Sequence, residues 1–114
     1  MIFVTGPLYA GKRDCIRQLI GLSEAEFSEK AVWDVQELAE PGNIDQLAEQ
    51  LSEKEIVIAT EVGCGVIPID ASEREKQEAA GRLACALAQR ADTVIRVCCG
   101  IPQLLKGDWP CASF

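Results

Sequence analysis

The 114-residue sequence predicts an α/β fold built on a small, mostly parallel sheet of about four strands. Three observations carry that expectation. Four short apolar runs, Ile2–Thr5, Ala31–Val35, Glu55–Thr60 and Thr93–Cys98, read as strands. Helical patterns lie between them, and alternating strand and helix is the signature of a parallel sheet. Two glycine-bearing connections, Gly6 to Lys12 and Glu61 to Pro68, follow the first and third strands. In a parallel sheet both leave the carboxyl ends of their strands, the edge that opens to ligands.

Each helix has legible ends. Gly11 to Ile20 places Cys15, Ile16, Leu19 and Ile20 on one face and stops at Gly21. Asn43, with Gln46 three residues on, is positioned to cap a helix whose inward residues are Ile44, Leu47, Ala48 and Leu51. Ser72 and Glu75 form the pattern of a capping box for the longest helix, which runs to about Arg90. Its apolar stripe is Ala79, Ala80, Leu83, Ala84, Leu87, Ala88 and Ala91. A stripe made mostly of alanine predicts a helix lying close against the sheet. No repeat, low-complexity segment or linker divides the chain, and its length suits one domain over residues 1–114.

The formal net charge is −7, with a pI near 4.5. An acidic surface of that size repels a phosphate backbone, which argues against nucleic acid as the main partner. A nucleotide needs only a local cluster of positive charge, and Lys12, Arg13 and Arg17 supply one. The N-terminus enters a strand pattern directly, with no basic segment followed by a long apolar one. No apolar run approaches a membrane span either, so no membrane partner and a cytoplasmic location are expected. The six cysteines include no C-x-x-C pair, and histidine is absent, so zinc is not supported. They are expected to be reduced and to pack as small apolar residues, with adjacent Cys98 and Cys99 on opposite faces of a strand.

The first connection, Gly6-Pro7-Leu8-Tyr9-Ala10-Gly11-Lys12-Arg13, fits the phosphate-binding pattern G-x-x-x-x-G-K. That chemistry is led by the backbone. Glycines let the loop curl so that successive N–H groups face a phosphate at the positive end of the following helix. Gly6, Ala10, Gly11, Lys12 and Arg13 are therefore the candidate nucleotide-binding residues, with Lys12 neutralising the terminal phosphates. Arg13 stands where a Ser or Thr hydroxyl would hold Mg²⁺. Arginine donates hydrogen bonds but cannot ligate a cation, so it is expected to bind phosphate oxygens itself.

The C-terminal half resembles the adenosylcobinamide kinase/adenosylcobinamide-phosphate guanylyltransferase family of cobalamin biosynthesis. The matching text is Glu61-Val62-Gly63-Cys64-Gly65-Val66-Ile67-Pro68, Ala80-Gly81-Arg82-Leu83, Leu87-Ala88, Ala91-Asp92-Thr93-Val94, Gly100-Ile101-Pro102 and Leu104-Leu105-Lys106. The resemblance is good over residues 56–107 and rests on the phosphate loop alone over residues 1–20. It implies a three-layer, RecA-like P-loop fold with strand order 31–35, 55–60, 2–5, 93–98. It also implies ATP or GTP as the nucleotide, adenosylcobinamide or a related corrinoid as the second substrate, and a trimer. By position, Glu61, Gly63 and Gly65 would line the active-site edge, Lys12 and Glu61 would serve catalysis, and Asp34 matches an acidic residue at the metal-site strand. Mg²⁺ would then have only Asp34 or Glu61 to hold it.

The family places a strand, and the histidine that accepts GMP, between the first helix and the position of Ala31. This sequence has neither histidine nor room for that segment, and Ala84 replaces an asparagine after A-G-R-x. The expectation is a nucleotide-binding protein of the kinase type that has lost guanylyl transfer. The alternative is a non-catalytic module that binds a nucleotide or corrinoid and regulates or pairs with another subunit.

Overall fold

A computed structural model describes residues 1–62 and 69–110. The chain runs β1 (Ile2–Thr5), α1 (Lys12–Ile20), α2 (Glu24–Lys30), β2 (Ala31–Val32), a 3-10 turn (Val35–Leu38), α3 (Ile44–Leu51), β3 (Ile56–Ile58), α4 (Ala71–Arg90), β4 (Thr93–Cys98) and β5 (Ile101–Lys106). The sheet order is β2-β3-β1-β4-β5, with β1 in the middle. The first four strands pair in parallel in the expected order, and β5 returns antiparallel along β4.

The period-two alternation of the strands sorts their side chains into two cores. Phe3, Val57 and Val94 meet Leu83, Leu87 and the alanines of α4, together with Val35, Ala48 and Leu51. Ile2, Val4, Ile56, Ile58, Ile95 and Val97 face the other way, onto Ile16, Ile20 and Phe27 of α1 and α2. Helices therefore cover both faces. The predicted α4 stripe is in place: Ala79, Ala80, Leu83, Leu87 and Ala91 are buried, and Ala84 and Ala88 pack at the margin.

The structure differs from the sequence expectation at several points. A fifth strand, β5, extends the sheet beyond the four expected. Pro102 lies inside it; a proline carries no N–H for a ladder, which is tolerated because β5 is an edge. Helix α2 fills the segment before Ala31, started by a capping box in which Ser23 and Glu26 bond each other's backbone N–H. The strand expected over Ala31–Val35 ends at Val32, because Asp34 turns into the left-handed region at φ 57°. The one expected over Glu55–Thr60 is confined to Ile56–Ile58.

Two caps also differ. Helix α4 is capped by Asp70, whose carboxylate accepts from Ser72 N at 2.9 Å, so the cap lies ahead of the expected Ser72 box. Asn43 precedes α3 but does not cap it. Its side chain instead accepts from Glu40 N at 2.9 Å and donates to the Leu38 carbonyl at 3.0 Å, closing the turn that leads into the helix. Of the described cysteines, Cys15 is half-buried and packs against the α1 core as expected, whereas Cys85, Cys98 and Cys99 are exposed. Cys99 has left β4 for the following turn, with φ 53°, so the pair does not alternate across a strand. Among the described residues no helix is long and apolar enough to cross a membrane.

Candidate functional site

The connection from β1 to α1 leaves the middle of the sheet at its carboxyl edge, between the ends of β3 and β4. Its geometry depends on glycine at the first position. Gly6 has φ 151°, and a Cβ there would overlap the carbonyl oxygen of Val97 in β4. Only a residue without a side chain allows the loop to pass so close to the neighbouring strand. Gly11, at φ 79°, makes the second left-handed turn and sits at the N-cap of α1. Between them Tyr9 is held at φ 60° and is 94% exposed. The Gly100 amide donates to the Ala10 carbonyl at 2.8 Å, pinning the loop to the turn between β4 and β5.

Lys12 opens α1 and is buried, 8% exposed. Its ammonium donates to the Pro7 carbonyl at 2.7 Å, so the side chain folds back into its own loop. Burial pulls its pKa below the usual lysine value, while the carboxylates of Asp34 and Glu61 push the other way. Ala10, Gly11, Lys12 and Arg13 line a cavity of about 360 Å³ with Asp34 and Thr60. Two of the expected site elements, the loop and Asp34, thus share one cavity although they lie on opposite sides of α1 and α2 in the sequence.

Arg13 lies toward the β2 side. Its guanidinium carbon sits 5.1 Å from the centre of the Trp33 ring, and Trp33 stacks on Phe27 at 5.9 Å with an interplanar angle of 11°. Such a cation–π contact contributes roughly 0.5–2 kcal/mol according to how far it is desolvated. It holds the arginine against the cavity wall at the position where a hydroxyl was expected by pattern.

Glu61 follows β3, the strand between β2 and β1. Its backbone N–H donates to the Gly6 carbonyl at 2.9 Å, which ties it to the root of the loop. Its carboxylate takes both arms of Arg96, Nε to Oε1 at 2.7 Å and Nη2 to Oε2 at 3.0 Å. The Arg96 hydrogen bonds hold the Glu61 carboxyl below the usual glutamate range, helped by the charges of Arg96 and Lys12. Sequence reading missed Arg96. The available signal was its being the one charged residue in the otherwise apolar and small run Thr93–Cys98. Gly63, Cys64 and Gly65 lie outside the described residues.

A buried lysine at a helix N-terminus, beside a loop of free-turning backbone, has the chemistry of an anion site. The donors for a divalent cation are poor by comparison. Arg13 offers no acceptor, and both Glu61 oxygens are engaged by Arg96. Among the described residues no three His, Cys, Asp or Glu side chains gather where a metal ion could sit.

The family described as cobinamide kinase / cobinamide phosphate guanyltransferase matches residues 14–105, most of the chain. The match begins at residue 14 and so does not cover the Gly6–Arg13 loop. No curated protein matches the chain.

Proposed function

The chain belongs to the cobinamide kinase / cobinamide phosphate guanyltransferase family, and from that premise we propose that it binds a nucleoside triphosphate at Gly6–Arg13 for the kinase half of that chemistry. The observation that carries the reading is the buried Lys12, at the head of α1, facing the cavity beside Asp34. In this reading residues 1–114 form one RecA-like P-loop domain. Gly6, Ala10 and Gly11 present backbone to the β- and γ-phosphates, Lys12 neutralises them, and Glu61, Gly63 and Gly65 edge the site toward a cobinamide-type substrate. Asp34 is the carboxylate that would meet a Mg²⁺ carried in with the nucleotide; with no hydroxyl at position 13 the metal is held poorly, and Arg13 takes over part of its counter-charge. Guanylyl transfer is absent because the sequence contains no histidine to carry GMP.

What these residues contribute to phosphoryl transfer is position and charge. The terminal phosphoryl group spreads negative charge over its oxygens as it moves, and fixed cations stabilise that charge without reorganising. Lys12 and Arg13 approach the cavity from adjacent positions of one helix turn. The ionised Glu61 is a hydrogen-bond acceptor and a poor proton acceptor, because protonation would weaken its charge-assisted grip on Arg96.

One observation favours a second reading, a non-catalytic nucleotide- or corrinoid-binding module that regulates or pairs with another subunit. Arg13 replaces the metal-holding hydroxyl and is stacked on Trp33, which suits holding phosphate more than transferring it. Titrating the protein with ATP, GTP and adenosylcobinamide, with and without Mg²⁺, and following γ-phosphate label onto the corrinoid separates the two. Binding with transfer supports the kinase, and binding without transfer the module. No binding of any of the three overturns both.

A further inference from the structure

The Glu61–Arg96 pair has a position that ordinary packing does not explain. The strand order is β3-β1-β4, so Glu61 and Arg96 reach each other across β1, the strand that feeds the phosphate loop. Arg96 stands in register beside Thr5, the last residue of β1, and Glu61 N is bonded to Gly6 O. Two strands one apart are separated by roughly 10 Å. The bidentate grip therefore forms a strap over the exit of β1.

Charge makes the strap consequential. Glu61 lies between two cations, Arg96 and Lys12, and its charge acts on both. The geometry has resolved that competition. Both carboxylate oxygens bond Arg96, while the Lys12 ammonium bonds the Pro7 carbonyl. Asp34 is the other anion acting on Lys12, and Arg13 and Asp14 also line the cavity. Of these groups, Glu61 alone is tied to the root of the loop by its own backbone.

We infer that Arg96 is a positioning residue that holds the Glu61 carboxylate away from Lys12, keeping the lysine available for an incoming phosphate. The inference rests on the proposed nucleotide-binding role of the loop. Without Arg96, an uncompensated carboxylate remains beside the loop and pairs with Lys12, so phosphate has to displace an internal anion. A guanidinium suits the task because its fork takes both oxygens at once; a lysine offers a point charge.

The test is a set of binding titrations with ATP, and with inorganic triphosphate as a probe that lacks a base, in the absence of divalent cations. The proteins are wild type, R96M, R96K, E61Q and E61Q/R96M, each checked for folding by circular dichroism and thermal melting. R96M is expected to weaken binding of both probes about tenfold, as loss of a charge-assisted bidentate contact does. R96K should recover about half of that loss on a logarithmic scale. In the E61Q background, R96M should cost clearly less than it does in wild type, because the carboxylate it holds away from Lys12 is gone. A similar loss in both backgrounds would mean that Arg96 meets the phosphate directly or serves only the fold, and overturns the inference. So would R96M binding as tightly as wild type. Wild-type protein that binds neither probe overturns the nucleotide reading itself, a distinguishable failure. If R96M does not fold, R96K compared with E61Q/R96K measures the same coupling, and an equal loss in both backgrounds again overturns the inference.

Discussion

Lys12 is the residue on which the nucleotide reading turns, and Lys12→Met probes it cleanly. Methionine keeps an unbranched stem of similar reach in a place that is 8% exposed, so packing is preserved while the charge is removed. The ammonium has three donors, of which one is engaged by the Pro7 carbonyl. Two remain for phosphate oxygens. A hydrogen bond to a charged group contributes about 1.5–3 kcal/mol net. Two such bonds amount to about 3–6 kcal/mol, or roughly 150- to 25,000-fold in dissociation constant. Stability should change far less. Removing the buried cation relieves its desolvation, while Pro7 O loses its partner, and the two effects oppose each other within about 1–2 kcal/mol. Calorimetric titration with ATP and GTP, paired with urea unfolding of the same samples, measures both quantities. A folded Lys12→Met protein that binds either nucleotide within threefold of wild type would refute the assignment.

Three further outcomes are expected. Gly6→Ala should lower stability by about 3 kcal/mol or more, since a methyl group would overlap the Val97 carbonyl and the backbone sits at φ 151°. Urea unfolding checks this, and a loss under 1 kcal/mol would contradict the close approach of loop and β4. The Glu61 carboxyl is held below its unfolded value of about 4.5, so its contribution to stability is complete above that pH and is lost as pH falls through the lowered folded value. Glu61→Gln should therefore flatten the acid limb of the stability profile below about pH 4.5 and lower stability at neutral pH; an unchanged limb would argue that the strap is not formed in solution. Incubation with GTP labelled on the α-phosphate, followed by denaturation and mass analysis, should leave no GMP on the chain. A stable adduct on any residue would show that some other nucleophile replaces the histidine this sequence lacks.

Much of the scaffold was legible because its signals are local. Ile2–Thr5 and Thr93–Cys98 are short apolar runs bounded by turn residues, and both are strands with the bounds expected. The α4 stripe is a 3.6-residue pattern sustained from Ala79 to Ala91, and the buried residues of the helix are those on the stripe. The Gly6–Arg13 spacing placed a candidate loop after the first strand, where the structure has it. What propensity obscured was β5, interrupted by Pro102, and α2, a seven-residue helix signalled only by its Ser23 and Glu26 box.

The sequence by itself determined the alternation of strand and helix, the loop after β1 with its lysine, the absence of histidine and the family to which the chain belongs. Each of these is encoded within a window of neighbouring residues or in ordered text. Only the tertiary structure decided which distant side chains meet. Glu61 and Arg96 are 35 positions apart and join because β3 and β4 flank β1 in register. Arg13 lies on Trp33, 20 positions away, because α1 and α2 pack on the same face of the sheet and α2 leads straight into β2. A contact of this kind depends on register, crossover and layer together, and no local pattern carries all three.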